Sequence, residues 1–151
     1  GQRAFISYVA THSDEEGPDP DELSQQERLA LEECAITLIL SEEPTLRRTP
    51  TNNPGFDLVE LNSDGSFVKW VEVKAMTGSL DIRPVGLSKT QFDSAREHGG
   101  AYWLYVVEHA SAPDHARIVR IHDPAGKART FTFDHGWLGV AEVSGVDKFE
   151  T

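Results

Sequence analysis

Two carboxylates and an amine stand in the sequence where they could act together. Asp57 opens one apolar segment, and Glu72 and Lys74 lie on either side of a valine in a second segment. If the second segment is a strand, Glu72 and Lys74 point to the same face, because side chains alternate between faces. Carboxylate oxygens beside an amine can hold a hard divalent cation and activate a water molecule.

A β-hairpin is predicted to position these residues. Residues 56–61 and 67–74 are predicted as antiparallel strands, joined by a turn at Asn62–Gly65. In the second strand, Trp70 shares the face of Glu72 and Lys74, whereas the two flanking valines occupy the other face. A third, shorter strand is predicted at residues 80–87.

Two helices are predicted around this hairpin. The first is capped by Ser24 or Asp21 and ends near Leu40. Its apolar stripe is predicted from residues that recur at helical spacing: Leu29, Ala30, Glu33, Ile36, Thr37 and Leu40. Three further residues widen this stripe: Ala35, Leu38 and Ile39. The second runs from about Lys89 to Glu97, with Ser88 as N-cap and a glycine pair as its stop.

Apolar and turn-forming segments fill the rest of the chain. Residues 45–54 are predicted as a loop, because they combine prolines with an Asn-Asn pair. Residues 101–107 are predicted as a strand buried on both faces. Further strands are expected at 117–122, 128–133 and 138–143. The fold class is therefore α/β, with a central mixed sheet flanked by helices.

Composition limits the classes of protein that fit. The formal net charge is −11, which argues against strong non-specific binding to nucleic acid by this domain alone. Residues 1–22 are interpreted as an N-terminal extension and acidic linker, and residues 23–151 as one domain of a larger protein. The single cysteine, Cys34, is predicted to be a small buried side chain. We expect no membrane span and a cytoplasmic location.

The order of these motifs resembles the PD-(D/E)xK nuclease fold, whose core is a helix, three antiparallel strands, a second helix and a fourth strand (α-β-β-β-α-β). The resemblance is most specific to the NO VEIN C-terminal family, which looks like an Mrr-type branch of that fold. It covers roughly residues 25–125 and is carried by these segments: Asn53–Leu58, Val71–Lys74, Leu87–Phe92 with Ala95, Ala101–Val107 and Ile121–Pro124.

The resemblance implies a restriction-endonuclease-like site that binds Mg²⁺ or Mn²⁺. Asp57 and Glu72 would be metal ligands, joined by the backbone carbonyl of Val73, and Lys74 would orient water or offset charge on the phosphate. Glu32, from an E-x-x-A pattern, would add an acid from the first helix; its rivals are Glu33 and Glu27.

The second helix would supply further contacts. Gln91 resembles the position that contacts the phosphate or a metal-bound water in related enzymes. Lys89 and Arg96 could touch the DNA backbone, and solvated surface charge is an equal alternative for both.

A metal-dependent endonuclease domain acting on DNA is therefore the leading hypothesis. The resemblance places such domains in prokaryotic defence or DNA-processing systems, attached to ATPase- or helicase-like proteins. A homodimer is a further possibility. The alternative is a catalytically inactive module of the same fold that binds DNA or a protein partner, which the net acidity favours.

Overall fold

The computed structural model describes residues 23–49, 55–82, 85–127 and 141–145, with side chains to residue 143 in the last segment. The N-terminal extension predicted at 1–22 and the strand predicted at 128–133 lie outside these ranges.

The described residues form helices and strands in the following order: α1 (Gln25–Glu42), β1 (Leu46–Arg48), β2 (Leu58–Leu61), β3 (Phe67–Ala75), α2 (Lys89–His98), a short 3₁₀ turn (Gly99–Ala101), β4 (Tyr102–Glu108), β5 (Arg117–His122), α3 (Pro124–Lys127) and β6 (Ala141–Gly145).

The six strands make one mixed sheet in the order β1-β2-β3-β4-β5-β6. Neighbouring strands are antiparallel except for β3 and β4, which run parallel because α2 carries the chain back between them. The predicted α/β class is confirmed. The order of a restriction-endonuclease-like core is present: one helix, three antiparallel strands, a second helix and a fourth strand.

The sheet is covered on both faces. On one face, Leu31, Ala35 and Ile39 of α1 pack in a cluster that includes Val71 and Val73. On the other face, Phe92 of α2 packs in a second cluster, with Leu104, Val106, Val119 and Ile121 among its members. The strand predicted to be buried on both faces is confirmed as β4, because its alternate side chains enter different clusters.

The cap predicted for the first helix is confirmed, but its apolar stripe was partly wrong. Ser24 accepts a hydrogen bond from the Glu27 N–H, and Glu27 accepts one from the Ser24 N–H, which forms a capping box. Leu29 and Ala30 are exposed, and Leu31 is buried instead. Apolar side chains lie on nearly every side of this helix, so periodicity could not select the face that meets the sheet.

Cys34 was wrongly predicted to be buried. It lies on the exposed side of α1. The same error in choosing the buried face explains this result, because Cys34 is adjacent to Ala35, which is fully buried.

Two predictions about the strands were wrong. Residues 45–54 contain β1, in which Leu46 is buried and pairs with Glu60 of β2. Pro44 precedes this edge strand and does not interrupt it, and residues 50–54 of the predicted loop lie outside the described residues.

The third strand predicted at 80–87 is absent from the described residues of that segment. Ile82 N–H bonds the Ser79 carbonyl in a turn, and the buried Glu108 carboxylate accepts from the Leu80 N–H at 2.6 Å. The Leu80 N–H therefore donates to a side chain and is not available to a neighbouring strand. The third antiparallel strand of the core is β1.

The other elements follow their predictions closely. The hairpin is β2–β3, α2 is capped by Ser88 and followed by Gly99, and β5 coincides with its predicted range. The strand predicted at 138–143 is found at 141–145. Over the described segments, every helix is too short or too polar to cross a bilayer.

Candidate functional site

Asp57 and Glu72 meet because of the hairpin register. Leu58 pairs with Val71 across β2 and β3, and Asp57, one residue before this pair, lies beside the segment that begins with Glu72, since its Oδ2 accepts from the Val73 N–H. The Asp57 carboxyl group is close enough to Glu72 for its charge to raise the pKa of Glu72.

The segment that carries Asp57 is fixed by its backbone. The Asp57 N–H donates to the Val71 carbonyl at 2.8 Å, and its carbonyl accepts from the Thr49 N–H and hydroxyl at 3.0 Å each. The carboxylate Oδ2 accepts from the Val73 N–H at 2.8 Å. These contacts leave Asp57 little freedom to turn away from Glu72.

Glu72 is buried among charged and polar neighbours. Its side chain is 4 % exposed, Gln91 Nε2 donates to its Oε2 at 2.9 Å, and Lys74 Nζ lies 3.9 Å from the same oxygen. Burial raises the pKa of Glu72 well above its usual range, and the Asp57 charge raises it further, against the opposing effect of Lys74. The site therefore disfavours two negative charges when no further cation is present.

Gln91 reaches Glu72 because α2 begins with a capping box. The Ser88 hydroxyl accepts from the Gln91 N–H at 3.1 Å, and Gln91 Oε1 accepts from the Ser88 N–H at 2.8 Å. Since the amide oxygen is used in the cap, the amide NH₂ is directed at Glu72. The capping box thus fixes both the start of the helix and the orientation of a site residue.

Tyr102 is a further residue of this site that the sequence did not reveal. It is fully buried, and its hydroxyl donates to the Gly55 carbonyl at 2.7 Å, just before Asp57. Burial raises the pKa of Tyr102, and the charges of Glu72 and Asp57 raise it further. The ring therefore stays a neutral phenol. Within an apolar strand, nothing in the sequence distinguishes this tyrosine from a core residue.

The three candidate acids of the first helix have different surroundings. Glu27 is exposed and caps the helix through the Ser24 N–H. Glu33 is exposed and pairs with Arg48 at 2.6 Å, so it does not face the core as its spacing suggested. Glu32 is half-buried, and its charge contributes to the raised pKa of Glu72. Among the described residues, however, Glu32 does not join Asp57 and Glu72 in a group of three carboxylates that could hold a metal ion.

The two predicted phosphate-binding cations lie on the outer side of α2. Lys89 is exposed and pairs with Asp93 at 2.9 Å, one helical turn away. Arg96 is also exposed. The structure does not bring either side chain into the group formed by Asp57, Glu72, Lys74 and Gln91.

The donor set suits a small, hard cation. Within the part of the chain that is described, no group of three or more His, Cys, Asp or Glu residues could hold a metal ion. Mg²⁺, however, is commonly bound through one or two carboxylates, with water and substrate phosphate as its other ligands. The adjoining carboxyl groups of Asp57 and Glu72 fit that pattern, since a cation would relieve their repulsion.

The comparison with known protein families agrees with the family resemblance that the order of the sequence segments suggested. No curated protein and no solved structure matches the chain. A family model, described as the C-terminal part of protein NO VEIN, matches residues 26–121, which is more than half of the 151 residues. The matched region contains α1, the hairpin with Asp57 and Glu72, α2 with Gln91, and β4. The chain belongs to the NO VEIN C-terminal family.

Proposed function

We propose that this domain is a metal-dependent endonuclease that hydrolyses phosphodiester bonds in DNA. The observation that supports it best is the arrangement around the buried Glu72: Asp57 Oδ2 accepts from the N–H of the next residue, Val73, at 2.8 Å, and Lys74 Nζ lies 3.9 Å from Glu72 Oε2. Buried like charges destabilise a fold, and such arrangements are concentrated at functional sites.

Each side chain has a distinct role in this proposal. Asp57 and Glu72 would hold Mg²⁺ or Mn²⁺, together with the Val73 carbonyl. When bound, the cation supplies positive charge to the scissile phosphate and acidifies water. Lys74 donates to the attacking water or to a non-bridging phosphate oxygen, and Gln91 keeps Glu72 oriented through the 2.9 Å hydrogen bond.

The wider context is also proposed. The family description refers to the C-terminal part of protein NO VEIN. That wording supports a domain attached to a larger protein, for which we propose an ATPase- or helicase-like parent in a defence or DNA-processing system. Such a parent would supply the affinity for DNA that a chain of net charge −11 lacks.

Cleavage of plasmid and linear DNA with Mg²⁺ or Mn²⁺ tests the enzymatic proposal. Asp57→Asn, Glu72→Gln and Lys74→Met should each lower the cleavage rate by about 100-fold or more, the usual effect of removing a group that stabilises the transition state. EDTA should abolish cleavage. A clean preparation that does not cut, or variants that cut like the parent chain, would contradict the proposal.

Adjacent acids on α1 provide a matched pair of variants. Glu32→Gln should lower the cleavage rate, because Glu32 contributes to the electrostatics around Glu72. Glu33→Gln should leave the rate unchanged, because Glu33 pairs with Arg48 on the surface. Equal effects of both substitutions would rule out a specific role for Glu32.

A binding module without catalysis is the second candidate. It is favoured by the small donor set, since the described ranges offer no cluster of three metal-binding side chains. Thermal denaturation with added Mg²⁺ or Mn²⁺ separates the two candidates. An endonuclease site should raise the melting temperature, and Glu72→Gln should remove that rise. Metal-independent DNA binding with no thermal shift would favour the binding module.

A further inference from the structure

A row of aromatic rings connects the candidate site to the surface. Phe67 stacks on Trp70 with ring centroids 5.4 Å apart, Trp70 stacks on His98 at 3.8 Å, and His98 lies parallel to Tyr102 at 6.4 Å. We call these four residues the aromatic row. It begins at an exposed phenylalanine and ends at the tyrosine that supports the Asp57 segment through Gly55.

An irregularity in the hairpin turns Phe67 onto this face. Glu60 pairs with Lys69, but Leu61 pairs with Phe67, so Val68 is an extra residue in β3. Without this bulge, Phe67 would lie on the same face as Lys69, which contacts Glu43 on the α1 side of the sheet. Bulges redirect side chains and are frequent beside active sites. Here the bulge brings Phe67 next to Trp70.

The aromatic row shares its face with the proposed catalytic groups. Phe67, the exposed ring of the row, precedes Glu72 by five residues in β3, which corresponds to about 13–17 Å along a strand that contains a bulge. A DNA strand with a phosphate near the site could therefore place a base several nucleotides away against the row.

Packing within the domain does not explain the position of Phe67, the outer residue of the aromatic row. Trp70 and His98 fasten the end of α2 to β3 through the closest stacking contact. Phe67 lies outside this contact and is 55 % exposed. A rigidly backed aromatic ring on the same face as a site for phosphate chemistry is suited to stacking on a base.

We propose that the aromatic row stacks an unpaired nucleobase, so that the domain acts on DNA with a single-stranded segment near the cut. This inference rests on the proposed endonuclease function. In a duplex, the faces of interior bases are covered by their stacked neighbours. An unpaired, displaced or terminal base can offer its face to Phe67, with the phosphate of a nucleotide several positions away directed toward the Lys74 ammonium.

Fluorescence anisotropy in EDTA and low salt tests the inference without cleavage. The probes are a labelled oligothymidine of roughly 12 nucleotides, within the range of single-strand binding sites, and a duplex of equal length. Phe67→Ala should weaken binding to the single strand by about 5- to 150-fold, the equivalent of one stacked base at about 1–3 kcal/mol. Duplex binding should change by less than about twofold, a difference under about 0.5 kcal/mol.

Three further substitutions separate stacking from general apolar contact. Phe67→Trp should keep single-strand binding, because it retains an aromatic face. Phe67→Leu should lose binding like Phe67→Ala, although it keeps apolar bulk. Val68→Ala should bind like the parent chain, since the neighbouring side chain, 41 % exposed, has no aromatic face. Binding by Phe67→Leu at the parent level would overturn the inference and indicate a protein-contact surface.

The two proposals fail in different ways. Unchanged single-strand binding by Phe67→Ala, in a chain that cuts DNA, would overturn base stacking and leave the endonuclease proposal intact. Weakened binding by Phe67→Ala in a chain that does not cut would support the stacking surface and reject catalysis. An equal loss of single-strand and duplex binding would also overturn the inference, because it would indicate no preference for unpaired bases.

Discussion

Glu72 is a carboxyl group held where its charged form is disfavoured. Burial and the adjoining Asp57 raise its pKa, and Lys74 at 3.9 Å offsets only part of that effect. The Gln91 amide accommodates either state of Glu72, because it can donate to a carboxylate or to a carboxyl oxygen. A proton or a metal ion bound at this site would therefore relieve the unfavourable charge on Glu72.

The pH dependence of unfolding follows from this shift. A carboxyl whose pKa is raised on folding stabilises the folded state below its ordinary value of 4.5, and this contribution disappears as pH rises through the raised pKa. In EDTA, Glu72→Gln should therefore raise the melting temperature at pH 8 by at least about 2–4 °C, or roughly 1 kcal/mol.

That gain should shrink toward pH 5 in a series of thermal melts. Glu97→Gln, at an exposed position of α2, is the control and should change the free energy of unfolding by less than about 0.5 kcal/mol. A Glu72→Gln variant that is less stable than the parent chain at pH 8 would show that the buried carboxylate is adequately stabilised without metal.

The N-terminal caps of α1 and α2 stabilise their helices, and the cap of α2 also orients a residue of the candidate site. Ser24 and Ser88 both form capping boxes, with Glu27 and Gln91 respectively. The box on α1 serves the helix end and lies on an exposed surface. The box on α2 also directs the Gln91 amide at Glu72. The two serines therefore make the same local contact with different consequences.

Ser24→Ala and Ser88→Ala should separate these consequences. Each removes one cap and should lower the free energy of unfolding by about 1 kcal/mol, measured by urea denaturation. Only Ser88→Ala should also lower the cleavage rate, because the Gln91 N–H loses its acceptor and the first turn of α2, which carries Gln91, is less firmly held. The Ser88 backbone N–H that binds the Gln91 amide oxygen is retained. If Ser24→Ala lowers the rate equally, reduced stability explains both effects and the positioning role of Ser88 is wrong.

At the scale of the whole molecule, Glu43, at the end of α1, contacts three strands of the sheet. Its carboxylate accepts from Lys69 of β3 at 3.1 Å, from the Tyr105 hydroxyl of β4 at 2.9 Å and from Arg120 of β5 at 2.7 Å. Burial would raise the pKa of Glu43, but the Arg120 hydrogen bond and the Lys69 charge lower it overall. One side chain thus joins the helix to three adjacent strands.

Glu43→Gln should lower the free energy of unfolding by about 2–4 kcal/mol at pH 7, because it removes the charged partner of Lys69 and one of the two carboxylates that Arg120 contacts, the other being Glu42. Tyr105→Phe, which removes one hydrogen bond, should cost only about 1 kcal/mol. Because the pKa of Glu43 is lowered on folding, its contribution is present above the ordinary value of 4.5 and lost as pH falls through the folded pKa.

Urea denaturation between pH 3 and pH 7 measures this effect, which has the opposite sign to that of Glu72. A Glu43→Gln variant as stable as the parent chain throughout would show that the network contributes no net stability.

The sequence by itself determined the local elements. The turn at Asn62–Gly65 joins β2 to β3, but the register that brings Asp57 close to Glu72 also needs the extra residue at Val68. The S-x-x-Q pattern at Ser88 sets the start of α2 and the place of Gln91. These features depend on neighbours a few residues away, or on one short turn, so local rules suffice to predict them.

Only the tertiary structure decided which faces and edges are used. It selected the buried side of α1, recruited Leu46 to an edge strand, paired Glu33 with Arg48 on the surface, and placed the Tyr102 hydroxyl against the Gly55 carbonyl. It also aligned the aromatic row through a bulge at Val68. Each outcome depends on packing between distant segments, and nearly uniform apolar patterns, as in α1 and β4, contain no local signal that selects among the alternatives.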